Sequence, residues 1–387
     1  MKTLKKFDLN NINKSKWKSF PFEKIGFRIA ETVDPNTTEL EIYYGLEHLD
    51  AESLHIRRNG VPSDVSGGKL KCYPGDIIFG KRRAYQRKSG IVKEAGICSA
   101  HSFVFRANEE IIDARLFPFF LHSDQFMHKM IDISVGGLSP TINWSDMKHQ
   151  EFLLPPREQQ AELADLLWAM DEVIEKDLEA LDRLEGVYDS IISKKLLNKT
   201  GVKFIFKENT EVIRGVSFKP ETLVSNGVAI LRSNNIKDSK INFDDTIFLP
   251  SSNVDSKKLL NKNDFAICMS NGSKELVGKA AIISEMSYDQ IAVGAFCAGL
   301  KVKVEFIDLV KHLLNSNVYR NLISQILSGS TINNLKPSDI EGLTFTVDLG
   351  FKEIVKELNV LSLNKEKIES KLQSSKALEK ALINQVF

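Results

Sequence analysis

The sequence predicts a mixed α/β (α+β) chain built from two tandem globular domains, each followed by a long helix. Three observations carry that expectation: chain length, an internal repeat, and two long stretches of 4-3 apolar spacing. At 387 residues the chain exceeds what one compact core usually holds. With 42% hydrophobic and 27% charged residues and a mean hydropathy of −0.17, it can bury real cores and lacks the bias of disordered or collagenous chains. No apolar run reaches the roughly 18 to 20 residues of a membrane span. Met1-Lys2-Thr3-Leu4-Lys5-Lys6 leads into polar Asn11-Ile12-Asn13, not an apolar signal core. A cytoplasmic chain without membrane contact is therefore expected. Cys72, Cys98, Cys268 and Cys297 lie far apart with no Cys-x-x-Cys pair, against a zinc ribbon or a disulfide framework and in favour of buried thiols.

The repeat is visible at an offset of 193. Leu121-His122-Ser123-Asp124-Gln125-Phe126 falls on Leu314-Asn315-Ser316-Asn317-Val318-Tyr319, Gly136 on Gly329, Ser145-Asp146-Met147 on Ser338-Asp339-Ile340, and Phe152 on Phe345. Four anchors in one order at one offset indicate a duplicated domain. Upstream, Pro74-Gly75-Asp76-Ile77-Ile78-Phe79-Gly80 resembles Asn261-Lys262-Asn263-Asp264-Phe265-Ala266-Ile267, a turn feeding an apolar strand in each case.

Taken in order, a globular domain is expected over 1–155, a helix over 156–199, a second domain over 200–348 and a second helix over 349–387. Asp76–Phe79, Ser102–Phe105 and Ala280–Ile283 read as strands, with a helix from Leu116 to Met130 and its counterpart from Leu309 to Ile326. Pro155 and Pro156 end the strand before the first long helix and allow a helix to begin. Its seam is Leu163, Leu167, Met170, Ile174, Asp177, Leu181, Leu184, Tyr188 and Ile191. Lys199-Thr200-Gly201 is the expected C-terminal stop. The second seam, Leu358, Leu361, Lys365, Ile368, Leu372, Ser375, Glu379, Leu382 and Val386, has three polar positions in its apolar row. The two helices could share one seam. Asp177 is a polar residue at a core position, which fixes register, meets a partner, or yields to Leu178 by a local shift in packing.

Net charge is only +1, but it is unevenly spread. Between Lys71 and Lys93, seven basic residues (Lys71, Lys81, Arg82, Arg83, Arg87, Lys88, Lys93) face the single acid Asp76. Between Arg157 and Glu185 the balance reverses, with ten acids against Arg157, Lys176 and Arg183. A polyanion would feel the first patch strongly, because each phosphate neutralised releases counterions. The acidic helix is either a docking face or simply a solvated one.

Leu153-Leu154-Pro155-Pro156-Arg157-Glu158-Gln159-Gln160 before an acidic heptad helix, and Phe351-Lys352-Glu353-Ile354-Val355-Lys356-Glu357-Leu358, resemble the two conserved helices of the specificity (S) subunits of type I restriction-modification systems, the HsdS family. The expected prolines are absent before the second helix, at Val347-Asp348-Leu349. Gly75–Arg83 and Gly96–Ser99 resemble one subclass of the family's target-recognition domains; Ile213–Ser217 and Ser328–Ile332 resemble another. The resemblance spans the whole chain and lies in the order of two recognition domains and two helices. It implies a non-catalytic reader of double-stranded DNA. Each domain would bind one half of a split, asymmetric target, and the helices would pack antiparallel as a ruler. Methyltransferase (M) subunits, two by the family's pattern, would dock on the helices and carry S-adenosylmethionine, with restriction (R) subunits added for cleavage. No cofactor or metal is expected on this chain. A helix of about 40 residues is about 60 Å long, enough to separate two readers by more than one DNA turn.

Within that reading, Lys81, Arg82, Arg83, Tyr85, Arg87 and Lys88 follow an apolar strand and place guanidinium groups where they could fork onto phosphate or a guanine edge. The alternative is a solvated hairpin end. Gly137, Ser139 and Asn143, and Ser330 and Thr331 in the second repeat, lie in Gly/Ser/Thr segments that let backbone N–H groups approach phosphates, or serve only as turns. Ser270, Asn271, Ser273 and Lys274 follow a strand as Lys81 does, though Asn271-Gly272 is also a plain hairpin turn. Arg214, Arg232, Asn234 and Asn235 complete the set, Asn being able to pair with adenine. The predicted interface residues are Leu163, Leu167, Met170, Ile174, Leu181, Leu184, Tyr188, Ile191, Leu358, Leu361, Ile368, Leu372 and Leu382.

Enzymatic motifs are missing. Gly272 through Lys279 has five intervening residues and Ala280 where a phosphate loop needs four and a hydroxyl. There is no Gly-x-Gly-x-x-Gly loop and no Asn/Asp-Pro-Pro-Tyr motif, and the seven histidines show no metal spacing. The reading from another class is a coiled-coil scaffold whose duplicated domains bind protein.

Overall fold

A computed structural model describes residues 14–329 and 333–387. The architecture is mixed α/β, with two long helices, Arg157–Ile191 and Phe351–Val386. The chain forms two compact units, residues 1–178 with 370–387, and residues 179–369.

In the first unit an antiparallel sheet runs in the order Gly26–Ile29, Ser102–Ala107, Ile77–Gly80, Ser89–Ile91. A second sheet orders Thr32–Val33, Lys69–Cys72, Gly96–Cys98 and Tyr43–Tyr44, its last pair parallel. Lys18–Pro21 pairs with Glu151–Leu154 just before the first long helix. Every residue of Ile77–Gly80 is buried, as befits an apolar run covered on both faces. The core is aromatic: Phe22 meets Phe105 edge-on at 5.0 Å, and Phe120 meets Phe152 at 5.2 Å and Phe387 at 5.4 Å. Leu382, Ile383, Val386 and Phe387 are buried in this core. They are therefore part of the first unit's interior.

The second unit repeats the plan. Thr210–Arg214, Cys297–Val302 and Phe265–Cys268 form the same antiparallel trio, and Ala280–Ile282, Lys240–Ile241 and Ile236–Lys237 extend it. Val228–Leu231 and Ile291–Val293 form the parallel pair. Leu197–Ile205 against Thr344–Val347 forms the closing ladder. All four cysteines are buried.

Two local expectations are corrected. Each expected single helix is two. Phe117–His122 and Asp124–Asp132 break at Ser123, and Ile307–Leu314 and Asn317–Ser328 break before Ser316. At each break the serine hydroxyl donates to a carbonyl one turn back, Phe120 at 2.7 Å or Leu313 at 2.6 Å. It also accepts from the N–H three residues on, Phe126 at 3.2 Å or Tyr319 at 3.1 Å. A buried serine so satisfied is worth more as a cap than as a helix interior. The second correction concerns Lys199-Thr200-Gly201, which is no helix stop. The helix ends in a wide turn at Ile192–Leu196, and Leu197–Ile205 is a bulged strand in which Leu197 and Val202 both face Val347. A Cβ on Gly201 would lie 1.9 Å from the Val347 carbonyl oxygen, so only glycine fits the bulge.

Within each unit the long helices meet in antiparallel order. In the first, Leu163, Leu167, Ile174, Leu372 and Leu382 are buried and Met170 is half-buried. Asp177, and not Leu178, is the buried residue at its seam position, and its Oδ1 takes a hydrogen bond from Lys371 at 2.8 Å. In the second, Ile191 and Leu358 are buried, and Leu181, Leu184, Tyr188, Leu361 and Ile368 are half-buried. There Lys365 pairs with Glu185 at 2.6 Å and Lys195 with Glu357 at 3.2 Å. His312 is fully buried between Tyr188 Oη (2.8 Å) and Asn359 Oδ1 (2.9 Å), and burial pushes it down to about 4.

Candidate nucleic-acid interface

In the first unit the chain leaves the buried strand Ile77–Gly80 at Lys81. Arg83 adopts a left-handed conformation (φ 53°), as does Arg87 (φ 52°), around the short turn Ala84–Gln86. This sharp path turns Arg82, Arg83 and Tyr85 outward. The loop after the helix pair is brought against it. Val135 and Thr141 exchange both backbone hydrogen bonds (3.0 and 2.9 Å), Arg82 bridges to Thr141, the Ile142 N–H donates to the Lys81 carbonyl (2.9 Å) and the Arg83 N–H to the Pro140 carbonyl (2.8 Å). Two segments 60 residues apart in sequence thus form one face.

That face is cationic. The Arg28 guanidinium and the Lys81 ammonium lie 5.4 and 5.3 Å from the Phe103 ring centre. Burial, then Arg28 and Arg82, hold Lys81 below its ordinary value. His101 Nε2 lies 3.1 Å from Arg82 Nη1, so it accepts and stays unprotonated. Burial, then Arg82, Lys81 and Lys69, push its value down accordingly. No carboxylate pairs with Arg28, Lys81, Arg82 or Arg83 among the described residues. Unpaired cations crowded on a rigid backbone are a ready site for phosphates or a guanine edge.

The second unit makes the equivalent bridge with different side chains. Ser270 bridges to Asn334, the Leu335 N–H donates to the Met269 carbonyl (2.8 Å), and Asn333 Nδ2 to the Gly272 carbonyl (3.2 Å). Thr141 and Asn334 stand at the 193 offset. Asn271 Nδ2 donates to Ser233 Oγ (2.9 Å), so the segments at 232–235, 270–274 and 333–334 converge. Arg214, Asn234, Ser273 and Lys274 are exposed, and Phe296, whose carbonyl accepts from Met269 and Ser270, is exposed beside them. Here the bridging side chains are hydroxyls and amides.

Three expected contacts turn inward instead. Arg87 is enclosed by Asp124 (2.5 Å), Glu52 (3.3 Å) and the His122 carbonyl (3.1 Å), and Lys88 donates to the Leu46 carbonyl (2.7 Å). Asn235 is fully buried; its amide donates to the Asn242 and Asp244 carbonyls and its oxygen accepts from the Arg232 N–H. These three belong to the scaffold because they are held by partners within the fold. Arg232 is half-buried and donates to the Asp245 carbonyl, and Asn143 donates to Asp146. Gly137 and Ser139 lie in the bridging loop. Ser330 and Thr331 lie outside the described residues. Thr141, Ser233, Asn333 and Asn334 lie in the Gly/Ser/Thr and Asn segments that the sequence marks; Arg28 and His101 carry no such local signal, since only strand pairing brings them to the face.

One cluster lies elsewhere in the first unit. His55 Nε2 meets both Asp171 oxygens (2.8 and 3.1 Å), Arg57 pairs with Glu175, and the donor atoms of His55, Asp171 and Glu175 fall within 4.8 Å of one another. Its acids are already answered by His55 and Arg57, the geometry of an ion-pair network that ties the 53–57 loop to the first long helix. Among the described residues, no helix is long and apolar enough to cross a membrane.

Comparison with known proteins points the same way as the geometry. The family described as Type I restriction modification DNA specificity domain matches residues 68–185, a span holding both the Lys81–Lys88 run and the Gly136–Asn143 loop. The Type I restriction enzyme EcoKI specificity subunit of Escherichia coli (strain K12) is 34% identical over 137 residues, covering 34% of this chain and 29% of that protein. The StySPI specificity subunit of Salmonella potsdam is 34% identical over 155 residues, covering 38% and 33%. The matched segments span about a third of the length of these relatives. The crystal structure of the type I restriction-modification system S subunit from M. genitalium shares the fold, with a TM-score of 0.57 at 13% identity over 97% of this chain and 98% of that one. The resemblance read from the sequence is borne out.

Proposed function

We propose, for a chain whose residues 68–185 match the type I restriction-modification DNA specificity domain, that it is the sequence-reading subunit of such a system. Each unit reads one half of a bipartite, asymmetric target in double-stranded DNA. The chain itself catalyses neither methylation nor cleavage. It directs adenine methylation by methyltransferase subunits, two per chain, which hold the S-adenosylmethionine, and cleavage by restriction subunits.

The observation that supports this reading most is the repeated bridge. In each unit the loop leaving the central strand is locked by backbone hydrogen bonds to the loop following the helix pair. Such a frame fixes the backbone and leaves side chains free to vary, which is what base readout in a groove requires. The unpaired cations of the first unit suit the phosphate contacts that position a reader.

The test is to co-express the chain with the methyltransferase subunit encoded nearest to it and map adenine methylation across the host genome at single-base resolution. The expected result is a split motif with a fixed gap, lost on deleting residues 201–348. Soluble, partner-bound protein that leaves no methylated motif overturns the reading.

A further inference from the structure

Leu138 is the most exposed large apolar residue described, at 96%, and it sits at the tip of the loop Gly136–Pro140. Isolated leucines on a surface are ordinary and need no explanation. This one differs in its setting. The reciprocal Val135–Thr141 hydrogen bonds close the loop at its base, the Arg82–Thr141 bridge and the Arg83-to-Pro140 hydrogen bond fasten it to the cationic segment, and the Thr141 hydroxyl donates to the Ser139 carbonyl within it. Buried Ile142 anchors the chain immediately after it. Gly136, at φ 114°, supplies the turn that a side-chain-bearing residue resists. A short loop tied at both ends thus holds an apolar tip in water, beside Val135 and Tyr85, which are also more than half exposed. On its flank stand Arg82, hydrogen-bonded to His101, and Arg83, neither paired with a carboxylate among the described residues.

We propose that Leu138 is an apolar wedge that enters a base step of the bound duplex, partly unstacking it, while Arg82 and Arg83 hold the flanking phosphates. The inference rests on the DNA-reading function above and names a positioning residue within it. Charge selects the partner: an apolar tip rimmed by unpaired guanidinium groups suits a polyanion with a stacked interior, and leucine is among the side chains that proteins insert between base steps. At the 193 offset the second repeat carries Thr331 where the first carries Leu138. The unstacked step therefore lies in the first unit's half-site, and its position breaks the symmetry of the target.

The experiment uses the full-length chain and a duplex carrying the motif that methylation mapping returns, with 2-aminopurine placed at each position in turn. Wild-type protein should raise 2-aminopurine fluorescence at one step of one half-site. Leu138→Ala should lose that rise and bind about tenfold more weakly, with its salt dependence unchanged because no phosphate contact is removed. Leu138→Phe should restore the rise. Binding by wild type with no fluorescence change at any position, or a rise that survives in Leu138→Ala, overturns the wedge while leaving the DNA-reading function standing. No salt-dependent binding of the duplex overturns both.

Discussion

The two units use one backbone device for two chemistries. In the first, the strand-exit loop and the post-helix loop are joined at Arg82 and Thr141, and the surroundings supply Arg28, Lys81, Arg83 and His101. In the second, the same junction is Ser270 and Asn334, with Ser233, Asn271 and Asn333 around it. Duplication kept the hydrogen bonds that hold the loops together and released the side chains. The contrast extends to the helix seam. In the first unit the seam gathers Asp171, Glu175, Asp177 and Glu379; in the second its buried polar group is the neutral Tyr188–His312–Asn359 chain. The first unit thus sets a cationic face apart from a seam of ion-paired carboxylates.

The largest effect should come from the cationic face. Arg82→Ala with Arg83→Ala should weaken duplex binding at least about a hundredfold and lower the salt slope by about 2, read by fluorescence anisotropy at several salt concentrations. Unchanged affinity would remove the first unit's face from the DNA site. Ser270→Ala with Asn334→Ala should behave differently. The salt slope should hold while discrimination against altered bases in one half-site falls by about 1–3 kcal/mol. A slope as reduced as in the arginine pair would erase the contrast between the units.

The smallest effect is on stability and belongs to the first unit alone. Glu379 is pushed up to about 7 by burial and by Asp171, with Glu175 adding to the push and His55 and Lys376 opposing it, and its Oε1 is buried without a hydrogen-bond partner. Its folded value lies above its ordinary one near 4.5. Between those values the native state holds a proton that the unfolded chain has lost, so stability falls as pH rises through that window. Glu379→Gln should therefore be more stable than wild type at pH 8 by on the order of 1 kcal/mol, the full shift being screened by the solvent that reaches this half-buried group, a melting rise of roughly 3 °C, and indistinguishable from it below pH 4.5. An equal gain at both pH values would mean that the carboxylate is not strained by its neighbours.

Much of this organisation is legible in the residues because it is written as period and offset. The 4-3 spacing marks both long helices, and the 193 offset marks the duplication down to Ser123 and Ser316. What those serines do was not legible. A serine inside an apolar helical stretch reads as a tolerated interior residue until the Phe120 or Leu313 carbonyl is found within its reach. The contact face divides in the same way. Arg82 and Arg83 stand out as local charge, and they do face outward. Arg87 and Lys88 carry the same local signal and fold inward, because their partners Asp124 and Leu46 lie about 40 residues away in sequence. Asn235 misleads for that reason too, since its partners are main-chain carbonyls that leave no mark in residue identity.

The burial of Leu382, Ile383, Val386 and Phe387 in the first unit's core sets an order for biosynthesis. A ribosome releases residues 1–178 long before it makes the segment that closes their interior. Until residue 387 clears the exit tunnel, Phe120 lacks its Phe387 partner and Asp124 lacks the two hydrogen bonds it shares with Asn384. The second unit's residues are all made before that moment. Of the two units, the one begun first is thus the one closed second, and a chain stalled or cut short of Leu382 leaves an apolar cleft open to solvent and to whatever holds nascent chains in check.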